Sequence, residues 1–320
     1  MREKAGKKTG KKLEGKIRMG NTIRMIGIDL DGTLLTKQKV LTAVSRSALE
    51  EAINKGIEVV PVTGRPLAGV PHEVLDIPGI RYVITSNGAN TYDLSEHENG
   101  KGSLILSGTM DGKTPGTVLR KAHLPHEVVR RILEAAPGQD VIREIFVRGV
   151  GYHDARTQLM LEARFGIAPP ILAYINRSRK VISGFDELLE DPSSHVENVS
   201  LMFSSQEARD ATFARIKNIR GSKGERILTV LLPFRTDLEV THVQADKWRS
   251  LEDLGTMLGI TDSQIMTLGD GDNDRPMLWG AGLSVAMGNA PDFVKETADL
   301  VTGDNEHDGA AQAIREVLGL

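Results

Sequence analysis

Ile23-Arg24-Met25-Ile26-Gly27-Ile28-Asp29-Leu30-Asp31-Gly32-Thr33 carries an apolar run that stops abruptly at two acids. An apolar run of this length, closed by a turn signal, reads as a buried strand, and its C-terminal edge is where α/β enzymes place their chemistry. Side chains alternate along a strand, so Asp29 and Asp31 are expected on one side and Leu30 in the packing on the other. Two like charges in one small space destabilise each other unless a cation or a proton separates them, which predicts a divalent metal. Magnesium suits an all-oxygen site.

Downstream of this strand, Thr42 to Lys55 places Val44, Ala48, Leu49, Ala52 and Ile53 on one helical face and ends at Gly56, a C-terminal stop. Ile57 to Val62 reads as a second buried strand, and strand, helix and strand of these lengths form a right-handed parallel crossover. Arg81 to Ile84 supplies a third strand, ending in the turn-forming group Ser86-Asn87-Gly88-Ala89. Between about 92 and 233 the pattern changes. A hairpin near Leu104–Ser107, helices near His126–Ala136 and Glu207–Lys217, and strands near Val141–Val147, Val199–Phe203 and Ile227–Leu232 predict an inserted α+β domain. Residues 149–191 are too punctuated by Pro, Arg and Gly for an assignment. The alternation then resumes, with helices expected at Trp248–Leu258, Asp274–Trp279, Pro291–Thr297 and Asp308–Leu318 and strands at Gln264–Leu268, Leu283–Ala286 and Asp299–Val301. The expected fold is α/β: a doubly wound parallel sheet in 23–91 and 234–320, interrupted at 92–233 by a lid-sized insertion and preceded by a basic tail at 1–22.

The chain's 320 residues suit about two domains at roughly 150 residues each. Aromatic residues make up only 4% of the chain, so the core must be built mainly from Ile, Leu, Val and Ala. There is no cysteine, which excludes disulfides, thiolate catalysis and thiolate metal sites and fits a reducing cytoplasm. No apolar span approaches about 18 residues, so no membrane crossing is expected. Residues 1–19 hold eight Lys/Arg against two Glu, leaving the remainder of the chain at −9 for an overall −3. This tail has no aromatic interleaving and no apolar core, which argues against a secretory signal or a stacked nucleic-acid surface. It reads as disordered, a solvated extension or a misassigned start upstream of Met19 or Met25, with phosphate-backbone binding the rival reading.

Four polar groups follow predicted strands or open helices: Asp29-Leu30-Asp31-Gly32-Thr33, Thr63-Gly64-Arg65, Lys247 and Gly269-Asp270-Gly271-Asp272-Asn273-Asp274. An isolated Asp-x-Asp is as often a solvated turn, Thr63-Gly64-Arg65 by itself is a simple strand-to-helix turn, and an isolated lysine is usually an exposed cation. Four such groups at parallel-strand edges are hard to obtain from turns alone. A site with several carboxylates and a phosphate dianion needs a fixed positive charge, which Lys247 supplies. Asp270, Asp272 and Asp274 resemble the opening of a calcium loop, but that loop requires Gly at its sixth position and Glu at its twelfth, and Arg275 and Ala281 stand there.

Together with Ser86-Asn87-Gly88-Ala89, these motifs resemble the haloacid dehalogenase superfamily, specifically its Cof-type phosphatases, over about residues 23–320. The resemblance implies that Asp29 attacks phosphorus to give an aspartyl-phosphate and that Asp31 protonates the leaving oxygen, then deprotonates the hydrolytic water. It implies magnesium held by Asp29, the Asp31 backbone carbonyl and Asp270, with Asp274 in support. The phosphoryl oxygens would meet Thr63, the Leu30 and Gly64 amides, Lys247 and Asn273. Asn87 joins the candidate substrate-binding residues, and Arg65 either clamps substrate or pairs with a carboxylate. Family members often have Gly after the lysine, whereas Trp248 stands here, so the local packing or the pocket wall is expected to differ.

The expected activity is magnesium-dependent hydrolysis of a small phosphorylated metabolite, such as a sugar phosphate. A phosphomutase that passes the phosphoryl group to a sugar and a regulatory module with a dead site are the rivals. No strand is followed by Gly-x-Gly-x-x-Gly, and no Walker-type motif occurs, which argues against a dehydrogenase or a P-loop nucleotidase. Within the insertion Arg143, Arg148, His153, Arg156 and Arg177 are the polar candidates for specificity. Each is more commonly structural or solvated, and a cationic face built from them would favour an anionic or doubly phosphorylated metabolite.

Overall fold

The computed structural model describes residues 23–95, 110, 116–138, 141–163, 169–233 and 235–320. The basic tail at 1–22 and the hairpin expected near Leu104–Ser107 lie outside them. Strand β1 (Met25–Ile28) is buried on both faces and sits between β2 (Glu58–Pro61) and β12 (Ile265–Gly269), parallel to each. Strands β13 (Leu283–Ala286) and β14 (Leu300–Val301) continue the parallel sheet in the order β14-β13-β12-β1-β2. An uninterrupted apolar run is what a strand covered by helices on both faces requires. One side carries the helices Ala43–Asn54 and Gly309–Leu318, which pack on each other and on Ile26, Ile28, Met266 and Leu268. The other carries the helix Lys247–Met257, whose Leu251 and Leu254 meet Met25, Val60 and Ile265.

Thr42 caps the first helix by accepting a hydrogen bond from the Ser45 amide. Ser45, Ala48, Leu49 and Ala52 form its buried face, whereas Val44, expected there, is exposed. The register starts one residue later because the core-facing stripe lies against the C-terminal helix, where Asp308 Oδ1 accepts hydrogen bonds from the Thr42 and Ser45 hydroxyls. Strand β3 (Tyr82–Thr85) reaches β2 through a parallel bridge from Val62 to Ile84, and pairs with β4 (Asn90–Asp93) and then β5 (Thr117–Lys121) in a small antiparallel sheet.

The second large sheet has the order β10-β11-β9-β6-β7-β8. Its strands are β6 (Val141–Val147), β7 (Val150–Asp154), β8 (Arg179–Ile182), β9 (Val196–Phe203), β10 (Leu228–Leu231) and β11 (Asp237–His242). The stretch 149–191, unassigned from sequence, contains β7, two helices at Ala155–Ala163 and Pro169–Ser178, β8 and a short helix at Asp186–Glu190. Its β6–β7 hairpin turns through Arg148 and Gly149, both with positive φ, a conformation that an arginine does not advertise. The insertion was expected to end at 233, but β11 is hydrogen-bonded between β9 and β10, so this sheet runs to His242. One face of it is apolar, with Ile145, Val147, Val199, Leu201, Leu238 and Val240 packed against the helices His126–Ala135 and Gln206–Ile216. On the opposite face Ile142 and Met202 pack against the helices Ala155–Ala163 and Pro169–Ser178, and Glu239 meets Asn87.

Candidate active site

The site is assembled at the C-terminal edge of β1, β2 and β12. Gly27 in β1 lets the helix Lys247–Met257 press onto the sheet, since a Cβ there would lie 2.4 Å from Leu251 Cδ2. That close approach delivers Lys247, at the helix's first residue, into the interior with only 1% exposure. Its Nζ donates to Asp29 Oδ1 at 2.7 Å and to Asp274 Oδ1 at 2.6 Å. The other oxygen of Asp274 accepts from the Asp270 and Gly271 amides at 2.9 and 2.8 Å, which fixes the loop after β12. Asp29, Asp270 and Asp274 each offer a carboxylate oxygen within 4.8 Å of the others.

Three acids against one lysine leave negative charge uncompensated. Burial, reinforced by Asp274, pushes the Asp29 carboxyl well above its ordinary value despite Lys247. Burial and Asp274 likewise push Asp270 up to about 6, partly offset by the Thr33 hydroxyl, which donates to Asp270 Oδ1 at 3.0 Å. Burial disfavours the charged form of Lys247, but Asp274 and Asp29 outweigh it and hold the ammonium charged. A cluster of hard oxygen donors in which burial and a neighbouring carboxylate raise the proton affinities of Asp29 and Asp270 fits a divalent cation of the magnesium or calcium type. Gly32 is required beside it: its φ is +81°, and a Cβ there would sit 2.3 Å from Asp270 Oδ2.

Asp31 departs from expectation. β1 ends at Ile28 and a turn at Leu30 breaks the strand alternation before Asp31, which bridges to Leu35, and the Asp31 carboxylate stands outside the acid cluster. It accepts from Arg65 Nε and Nη2, both at 2.6 Å, and pairs with Lys39 Nζ at 2.6 Å. Burial raises its proton affinity, but Arg65 and then Lys39 outweigh that and hold it below the usual carboxylate range. The metal link that the resemblance implies for Asp31 runs through its backbone carbonyl and is independent of this side-chain pairing. Arg65, left open between two roles, pairs with a carboxylate; it also donates to Gly69 O at 2.8 Å and lies 4.6 Å from the centre of the Tyr174 ring.

The remaining expected residues converge here. Thr63 is buried, its hydroxyl accepting from the Arg65 amide at 3.1 Å, and Leu30 is fully buried. Gly64 lies against the side chain of Asn87, whose Oδ1 accepts from Asn273 Nδ2 at 3.0 Å. Asn87 Nδ2 in turn donates to Glu239 Oε2 at 2.6 Å, on β11 of the second sheet. Trp248 packs over Gly280 and outside the acid cluster, so it alters the outer packing and leaves the charge of Lys247 in place.

Sequence reading missed several participants. Asn289 donates to Gly32 O at 2.8 Å and Asp270 Oδ2 at 3.2 Å; its position just beyond β13, at the same sheet edge, was the available signal. Glu239, Tyr174 and Lys39 carried none. Three of the candidate insertion cations are otherwise engaged, whereas Arg156 Nη2 is buried without a hydrogen-bond partner. Arg143 donates to the Ala136 and Gly138 carbonyls, Arg148 to Ser193 and Asp191, and His153 is buried beside Glu144 and Gln158. Arg177 is exposed and Arg156 is half-buried. Arg143, Arg148 and His153 thus have the structural roles that were the commoner reading for these candidates.

A family model described as haloacid dehalogenase-like hydrolase matches residues 26–314, and the chain belongs to this family, whose phosphatase relatives make it an enzyme of the phosphatase type. The Bacillus subtilis 5-amino-6-(5-phospho-D-ribitylamino)uracil phosphatase YcsE is 29% identical, with 92% of this chain and 95% of that protein aligned. Phosphatase YwpJ of the same organism is 28% identical over 92% of this chain and its own full length. A solved haloacid dehalogenase-like hydrolase from B. subtilis superposes with a TM-score of 0.73 at 27% identity, covering 92% of this chain and 99% of that one.

Proposed function

We propose that this chain is a magnesium-dependent phosphomonoester hydrolase acting on a small phosphorylated metabolite through an aspartyl-phosphate. The observation that carries the proposal is Lys247 Nζ, which ties Asp29 to Asp274 while Asp270 shares their cluster. Asp29, Asp270 and the Asp31 carbonyl would hold magnesium, which when bound supplies positive charge to the phosphoryl group and the acids. Asp29 Oδ attacks phosphorus, the ester oxygen leaves and takes a proton from Asp31, and Asp31 then accepts a proton from the water that hydrolyses the acyl-phosphate. Arg65 and Lys39 keep Asp31 ionised at rest, the form the second step uses, so before the first step the Arg65 pairing must loosen and Asp31 must take up a proton, from solvent or from the entering phosphate monoanion. Lys247, Asn273, Thr63 and the Leu30 and Gly64 amides neutralise and position the phosphoryl oxygens, the main task in phosphoryl transfer.

The six-stranded sheet and its helices serve as the cap over this edge, and the parallel sheet is the catalytic core. The B. subtilis relative named for a phosphoribityl substrate supports a phosphate ester on a small polyhydroxylated skeleton. Among the described residues no helix is long and apolar enough to cross a membrane, and we place the activity in the cytoplasm. Asp29→Asn is the test. Purified protein with magnesium should release inorganic phosphate from p-nitrophenyl phosphate, and the variant should lose this by at least a thousandfold; turnover close to the parent would refute the nucleophile.

A further inference from the structure

The polar face of the six-stranded sheet holds groups that the proposed chemistry does not use. In the β9–β11 register Thr241 stands opposite Asn198 and Glu239 opposite Ser200, so these four share a face. Asn198 and Thr241 have no exposed surface, yet neither polar atom of the Asn198 amide nor the Thr241 hydroxyl has a hydrogen-bond partner. Buried polar groups are normally paired, and three unpaired atoms on adjacent strands mark a place where something else bonds. They adjoin the site. Glu239 accepts from Asn87, which accepts from Asn273, and the Asn198 amide lies close to the Glu239 carboxyl without reaching hydrogen-bond geometry.

We infer that Asn198, Thr241 and Glu239 are specificity-determining residues that hydrogen-bond the hydroxyls of an uncharged polyol or sugar leaving group and exclude substrates with a second anionic group. The inference rests on the phosphatase reading above. An amide offers two donors and an acceptor, a hydroxyl offers one donor and two lone pairs, and a carboxylate only accepts; this set matches a chain of alcohols. It matches a second phosphate poorly, because none of the three side chains brings a positive charge, and Arg179, on the same sheet, is held by Glu144 at 3.1 and 3.2 Å. Glu239 offers such a group no counter-charge.

The test compares sorbitol 6-phosphate with 6-phosphogluconate, which differ by an alcohol against a carboxylate at the far end, and with p-nitrophenyl phosphate, which has no alcohols. Full-length protein with magnesium should show a kcat/KM for sorbitol 6-phosphate at least tenfold above that for 6-phosphogluconate, and Glu239→Gln should shrink that ratio at least fivefold. Thr241→Val should lower the ratio of sorbitol 6-phosphate to p-nitrophenyl phosphate kcat/KM at least tenfold, and Thr241→Ser should restore it. Because the hydroxyl has no partner within the folded chain, Thr241→Val should melt at or above the parent temperature. Equal or better turnover of 6-phosphogluconate, an unchanged ratio in Thr241→Val, or a clear fall in its melting temperature would overturn the assignment and leave the phosphatase reading intact. No turnover of any of the three esters would overturn both.

Discussion

Lys247→Met removes one charge and keeps most of the side chain's buried stem. The ammonium bridges Asp29 and Asp274 at 2.7 and 2.6 Å, with every partner at least nine-tenths buried. Deleting one member of such a buried pair typically costs about 3–5 kcal/mol, because the remaining charges stay desolvated and unpaired. A melting temperature responds by roughly 2–4 °C per kcal/mol for a domain of 150–250 residues, so a drop of about 6–20 °C is expected. Thermal melts in EDTA at pH 7.5 measure it. Adding magnesium should then raise the melting temperature of the variant more than that of the parent, because the ion supplies positive charge that the parent already has in part. Phosphate release should fall at least about a hundredfold, the scale of losing one preorganised transition-state contact. A variant that melts within two degrees of the parent without divalent ions would refute the electrostatic account of the site.

Two further perturbations probe the scaffold. Gly32→Ala places a methyl 2.3 Å from Asp270 Oδ2 at a φ of +81°, and should reduce both stability and the magnesium-dependent rise in melting temperature; a parent-like response to magnesium would show that this turn does not shape the acid cluster. Glu197 is fully buried, accepts from Ser86 Oγ and the Gly149 amide at 2.7 Å each, and is pushed by burial up to about 7. Its folded-state proton affinity exceeds the unfolded one, so its contribution is present below about pH 4.5 and is lost as pH rises to about 7, a change of about 3 kcal/mol at 1.36 kcal/mol per unit. Glu197→Gln should flatten the fall in urea-unfolding free energy between pH 5 and 8, and an unchanged slope would exclude Glu197 as its source.

The parallel sheet and the acid cluster were legible because their signals are local. A fully apolar strand such as β1 announces burial on both faces, and Asp29, Thr63, Lys247 and Asp270 each follow a strand or begin a helix at the same sheet edge. The position of Asp31 was not legible, since it depends on where β1 stops and on Arg65, a residue 34 positions away. The second sheet misled for a different reason. In β11, Leu238 and Val240 alternate with Glu239 and Thr241, the ordinary pattern of a half-solvated strand, and only its packing over Asn87 shows that the outward face is enclosed. Arg143, Arg148 and His153 could be named only as candidates, because charge in a sequence does not reveal which carbonyl or carboxylate already holds it.

The central placement of β1 has a consequence for synthesis on the ribosome. Its pairing partner on one side, β2, follows within about thirty residues, but the other, β12, begins at Ile265, after the whole second sheet has been made. A nascent chain that has reached β11 has all six strands of that sheet, while β1 still presents an open, wholly apolar edge. Unsatisfied edges of this kind invite pairing with other chains. The late-arriving C-terminal quarter therefore does more than add Asp270 and Asp274: its emergence ends the interval in which the polypeptide is most prone to aggregate.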